Sequence, residues 1–186
     1  NYGVMQMVEQ VNEEFARWHG MLPGNMYSGD GVLLDIRKFA GRKDLQWVFQ
    51  ILKAWKKIAS RNSLEPEETR DLTALLDFVA NADDEKFRRE VWDYLERDSW
   101  LRFHVLHILI RSKHTDNGHN WKLYFNPATN LAVPIPWDCM GFEDLREPWP
   151  FPRWGFNVMF VRLMNDPVYL RDLSVFLYDY ASKGGT

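Results

Sequence analysis

The chain has 186 residues, 46% of them apolar and 15% aromatic, with nine Trp. That is enough apolar mass for one packed domain, and it excludes a disordered chain. A formal net charge of −3 argues against non-specific nucleic-acid binding, and the single cysteine, Cys139, rules out an internal disulfide or a cysteine-based zinc site. No signal peptide or membrane-spanning apolar run is visible. The opening residues, Asn1 to Glu9, lack an initiator Met and enter directly into a strand-like run, so the chain is read as a fragment whose N-terminal part is missing.

Residues 2–9 are expected to form a strand. Asn12 is placed to cap a short helix, Glu13 to His19, acidic in its first turn and followed by Gly20. Met21 to Gly31, dense in Gly and Asn, reads as loop. From Asp44 to Arg61, Leu45, Val48, Phe49, Leu52, Trp55 and Ile58 recur at helical spacing, with Lys53, Lys56 and Lys57 outward. A solvated face explains those lysines more simply than a functional basic patch. Pro66 marks the first turn of a helix to about Asn81, and Asp83 or Asp84 starts another to about Glu96. Asp98 or Ser99 caps a third, Trp100 to Arg111. Its Leu101–Ile110 stretch is apolar on nearly every side and is predicted to be the most buried helix. His104 and His107 lie on it without an evident acidic third ligand, so they read as core histidines and not as a metal site. Further on, Glu147 to Trp154 is an aromatic and proline loop. Two helices close the chain, about 155–164 and 167–181, the second opened by Asp166-Pro167. The expected class is α+β, mostly helical with a small strand component.

Between these helices lies the stretch that carries chemistry. Asp116-Asn117-Gly118-His119-Asn120 leads into Trp121-Lys122-Leu123-Tyr124-Phe125. A turn-rich loop, Asn126 to Asn130, follows, then Leu131 to Asp138. Two strand-like runs around such a loop signal a β-hairpin. Asp116 lies about a dozen positions before the loop centre and Asp138 about ten after it. The two carboxylates are therefore predicted to meet at the hairpin's open end, with Asn120 beside them. Two carboxylates and an amide oxygen suit Mg²⁺ or Mn²⁺ holding a phosphate ester. Protein kinases use this layout, an Asp and an Asn before a hairpin and a metal-binding Asp after it. Asp, Asn and Gly before a strand are also ordinary turn residues, so spacing alone does not decide.

Three blocks together resemble the CotH family, the spore-coat-associated atypical protein kinases. Tyr2-Gly3-Val4 through Val8-Glu9-Gln10-Val11, with Phe15 and Gly24-Asn25-Met26-Tyr27, is similar to the family's "YGvY…E…F…G.lYk" segment. Asp116 to Tyr124 resembles its "D..hN.ylY" run, and Pro134-Ile135-Pro136-Trp137-Asp138 its "fiPWD" run. The resemblance implies an atypical kinase-like large lobe with the N-terminal part of the domain missing. It treats residues 1–186 as a single partial domain, with a catalytic hairpin at about 114–140 and the C-terminal helices at about 155–181.

The same resemblance implies roles. Asp116 aligns with the catalytic aspartate that orients the acceptor hydroxyl. Asn120 aligns with the asparagine that assists cofactor and metal binding, and Asp138 with the metal-binding aspartate. Glu9 aligns with an acidic residue of an upstream strand on the cofactor-binding side. The implied cofactors are ATP and Mg²⁺ or Mn²⁺. The implied partner is a protein with an exposed Ser or Thr, and the implied place is a spore coat or cell surface; the fragment itself carries no membrane segment, and its charge does not favour nucleic acid. His114 and His119 read as structural hydrogen-bonding residues of the loop. One departure stands out: a second Asp that usually follows PWD one residue later is absent, since Cys139 and Met140 come next, with Glu143 or Asp144 as possible substitutes. A non-catalytic coat or surface assembly protein on the same scaffold is the competing expectation, and a carbohydrate-binding module, resting only on Trp content, is a weaker one.

Overall fold

The computed structural model describes residues 10–30, 47–110, 120–139 and 158–183. Among them a four-stranded antiparallel sheet carries helices on both faces, a mixed α+β arrangement. The strands are β1 (Asn25–Gly29), β2 (Trp55–Ala59), β3 (Trp121–Phe125) and β4 (Ala132–Pro134), ordered β2-β1-β3-β4. The helices are α1 (Glu13–Trp18), α2 (Arg70–Asn81), α3 (Asp84–Glu90), α4 (Arg97–Ile110), α5 (Val158–Met164) and α6 (Pro167–Ser182).

Strand periodicity divides the core in two. Tyr27, Trp121, Leu123 and Phe125 face the larger cluster, packed by Leu72, Leu75, Trp100, Phe103 and Phe160. Met26 and Tyr124 face the smaller cluster, closed by Val11 and Ala16 around α1. At the centre Trp121 lies stacked 6.1 Å from Trp100 and edge-on to Phe49 at 4.9 Å. The Trp100 indole donates to the Ala132 carbonyl at 3.0 Å, tying α4 to β4. Gly29 admits this packing, because a Cβ there would sit 2.9 Å from Trp55 and from Val48.

Locally specified features stand where the sequence puts them. Asn12 accepts from the Glu14 and Phe15 amides, and Gly20 takes φ +64° after α1. Asp166 caps α6 through the Val168 amide, with Pro167 in its first turn. The hairpin β3–β4 pairs Leu123 with Pro134 and Phe125 with Ala132 around the expected loop.

Several expectations need correction. The presumed loop from Met21 contains β1, the strand that pairs with both β2 and β3. The helix expected over Asp44–Arg61 is instead two short 3₁₀ turns, Trp47–Phe49 and Leu52–Ala54, followed by β2. Sheet pairing outweighs a helical spacing that mixed three lysines with β-favouring Trp and Ile. Lys57 turns inward, donating to the Glu68 carbonyl and lying over the Tyr27 ring. The helix assigned to Pro66 begins at Arg70, and the one after Asp83 ends at Glu90, giving way to a 3₁₀ turn at Val91–Asp93 and a bridge from Leu95 to Ala132. α4 starts at Arg97, where Glu96, not Asp98 or Ser99, supplies the cap by accepting from the Ser99 amide at 2.7 Å. Nor is α4 buried all round. Trp100, Leu101, Phe103, His104, Val105 and His107 are covered, but Leu109 is 44% exposed, because α6 shields only part of the far side. Arg111, residues 2–9 and the aromatic loop Glu147–Trp154 lie outside the described residues.

Candidate functional site

The site is built from the two ends of the hairpin. Trp121 is fully buried and fixes the start of β3, so Asn120 stands at the point where the chain enters the sheet. On the return, the Ile135 amide donates to the Lys122 carbonyl at 2.9 Å, extending the pairing past β4 and bringing Trp137 and Asp138 back beside Asn120. The Asn120 amide nitrogen donates to Asp138 Oδ2 at 2.9 Å. Both residues take left-handed backbone, φ 61° at Asn120 and 48° at Asp138. Asn and Asp tolerate that region better than other side chains. Strained backbone held on both sides of one hydrogen bond is a pattern common at functional sites.

The next layer is cationic and aromatic. Lys122 pairs across the sheet with Ser28, and its ammonium donates to the Ser28 hydroxyl. It also lies 5.3 Å above the Trp137 ring. Burial pulls the Lys122 ammonium below its ordinary pKa, while the charge of Asp30 acts the other way. Behind Asp138, the Cys139 sulfur sits 3.8 Å from His107 Nε2, docking the end of the hairpin on α4. Burial raises the Cys139 thiol, a backbone hydrogen bond at Trp137 opposes this, and Asp138 adds to the rise. Burial lowers His107, whose Nδ1 is 2.7 Å from the Phe103 carbonyl.

Asn120 and Asp138 are thus brought together, whereas Asp116, Glu9, His114, His119, Glu143 and Asp144 lie outside the described residues. His104 and His107 sit in the aromatic core, His104 against Phe160, Trp100 and Tyr169, as core histidines do. Among the described residues no group of three or more His, Cys, Asp and Glu gathers as a metal cage. The donor set of Asn120 and Asp138 nevertheless suits a hard cation. Both offer oxygen, and the amide nitrogen is already committed to the carboxylate, which leaves the oxygen as the end a cation would take. Mg²⁺ usually takes one or two protein oxygens and completes its shell with phosphate and water. Lys122, Ser28 and Trp137 were not singled out from the sequence. The available signal was a lysine inside an otherwise apolar strand, two places after Asn120.

Residues 1–182 match the family described as CotH kinase protein. No curated protein matches the chain.

Proposed function

We propose, for a chain that belongs to the CotH kinase protein family, an atypical protein kinase that moves the γ-phosphoryl group of ATP to a Ser or Thr of a coat or surface protein. The observation that supports it is the Asn120–Asp138 pair closing the open end of the hairpin. On this reading the chain is one kinase-like domain, and its sheet and hairpin carry the catalytic end of the large lobe. Mg²⁺ or Mn²⁺, when bound, neutralises phosphate charge and orients the chain of phosphates. Asp138 would hold it by charge, and Asn120 through a neutral oxygen. The hydrogen bond between them keeps both side chains in one orientation, so little order is lost on binding. Asp116, by the family alignment, orients the acceptor hydroxyl and accepts its proton as the new O–P bond forms and the bond to the ADP leaving oxygen breaks. Glu9 is proposed on the nucleotide side.

The test is ³²P transfer from labelled ATP with Mg²⁺ or Mn²⁺, beside nucleotide binding. Asp138→Asn should abolish both. Asp116→Asn should abolish transfer and leave binding largely intact. Absence of metal-dependent nucleotide binding by the parent chain overturns the reading.

A second reading keeps the scaffold without the chemistry. It is favoured by Cys139-Met140 in place of the second Asp of the family pattern. A pseudokinase acting in spore-coat or surface assembly would bind nucleotide yet transfer none, with Asp116→Asn changing nothing.

A further inference from the structure

Lys122 is a half-buried cation in an unusual setting. Its ammonium meets the Ser28 hydroxyl and the face of Trp137. Among the described residues no ion pair closes on it, and the charge of Asp30 offsets only part of the burial that lowers its pKa. A neutral hydroxyl and an aromatic face compensate a desolvated ammonium less well than an anion does. The two elements that hold Lys122 are also the two that hold the candidate cation site. Lys122 follows Asn120 by two residues on β3, and Trp137 immediately precedes Asp138. In the family run "D..hN.ylY" the corresponding place is an aromatic one, so Lys122 is not carried by the resemblance.

Charge accounting points to a further, anionic partner. A triphosphate carries close to four negative charges, and one divalent cation leaves about two uncompensated, near the added charge of Asp138. A lysine two residues after Asn120 supplies positive charge from the strand that Asn120 opens, and its point-like ammonium suits phosphate oxygens of variable direction. We propose that Lys122, held in place by Ser28 and Trp137, contacts the phosphate chain of a nucleoside triphosphate whose divalent cation is bound by Asn120 and Asp138. This rests on the kinase or pseudokinase reading above and adds a phosphate-binding residue to it.

The probes are Mg·ATP and adenosine, with binding measured by calorimetry on the full chain. Lys122→Met should weaken Mg·ATP about tenfold or more and leave adenosine unchanged. Lys122→Arg should retain most of the affinity. In the unsubstituted chain, Mg·ATP but not adenosine should protect Lys122 from amine acylation, read by mass spectrometry, which needs no variant to fold. If Lys122→Met binds Mg·ATP like the parent while Asp138→Asn does not, the Lys122 assignment falls and the nucleotide site stands. If Lys122→Met weakens both probes alike and lowers the melting temperature, the residue is structural and the assignment falls. If the parent binds no Mg·ATP, both readings fall together.

Discussion

At Asn120 two demands meet in one residue. Its backbone is left-handed, φ 61°, and its side chain holds Asp138. These are separable by substitution. Glycine relieves the backbone cost and deletes the side chain, whereas alanine deletes the polar side chain but keeps the Cβ, whose cost in that region is roughly 1–2 kcal/mol. Asn120→Gly should therefore be about as stable as the parent in urea unfolding, and Asn120→Ala about 1 kcal/mol less stable. Both should lose metal-dependent nucleotide binding to a similar degree. Equal stability of the two variants would mean that the left-handed backbone is not strained there. Asp138 invites the same comparison, but its charge is needed, so no substitution tests its backbone alone. Asn120 and Asp138 could be nominated from sequence because a hairpin returns the chain to its start, a short-range geometric rule. Lys122 could not, because its significance comes from Ser28, 94 positions earlier in the chain.

Elements whose shape is set by neighbouring residues were legible, and those set by distant pairing were not. Asn12 and Asp166 each cap a helix through amides two or three residues on. Such signals survive in any tertiary context. β1 reads Asn-Met-Tyr-Ser-Gly, a loop by composition, yet it becomes a strand because β2 and β3 flank it and Tyr27 and Asn25 anchor to Asp71 at 2.6 and 2.7 Å. Burial and that hydrogen bond to Asp71 raise the Tyr27 phenol far above its ordinary pKa, which keeps it a donor to the carboxylate. Another long-range device joins helices. Arg162 of α5 donates to the carbonyls of Val79, Ala82 and Asp83 at 2.9, 2.7 and 2.7 Å, and stacks 4.1 Å over Phe87. It places a cation at the C-terminal end of α2, where the helix leaves carbonyls unsatisfied. Arg162→Met should cost about 3 kcal/mol in denaturant unfolding, since it strands several carbonyls at once. Arg162→Lys should recover only part of that, because a lysine lacks the planar fork. A loss under about 0.5 kcal/mol would show that water replaces the guanidinium.

Across the whole molecule, the aromatic core couples the site to the C-terminal helices. Trp121 starts the strand that carries Lys122. It lies 5.2 Å from Phe160 of α5, which in turn lies 4.3 Å from His104 of α4, and the His104 imidazole is hydrogen-bonded to Tyr169 of α6. A general α+β class was legible because apolar mass and caps are visible in sequence, whereas this junction was not, since it joins residues from four segments. The junction also makes stability depend on pH. Burial, and secondarily the nearby His107, hold His104 well below the ordinary 6.5. A folded pKa below the unfolded one means that the unfolded chain binds the proton first. Stability from this source is therefore complete above about pH 6.5 and falls as pH drops below it, with a slope of at most one proton for this residue. His107, also lowered by burial, adds to the same window. His104→Phe removes one titrating group at similar volume, at the expense of the hydrogen bond to Tyr169. Denaturant midpoints measured from pH 7.5 down to 5 should show the variant less stable than the parent at the upper end, and the gap should narrow on acidification. Parallel curves for the two proteins would mean that His104 takes up its proton equally well folded and unfolded, and that the aromatic junction does not exclude charge.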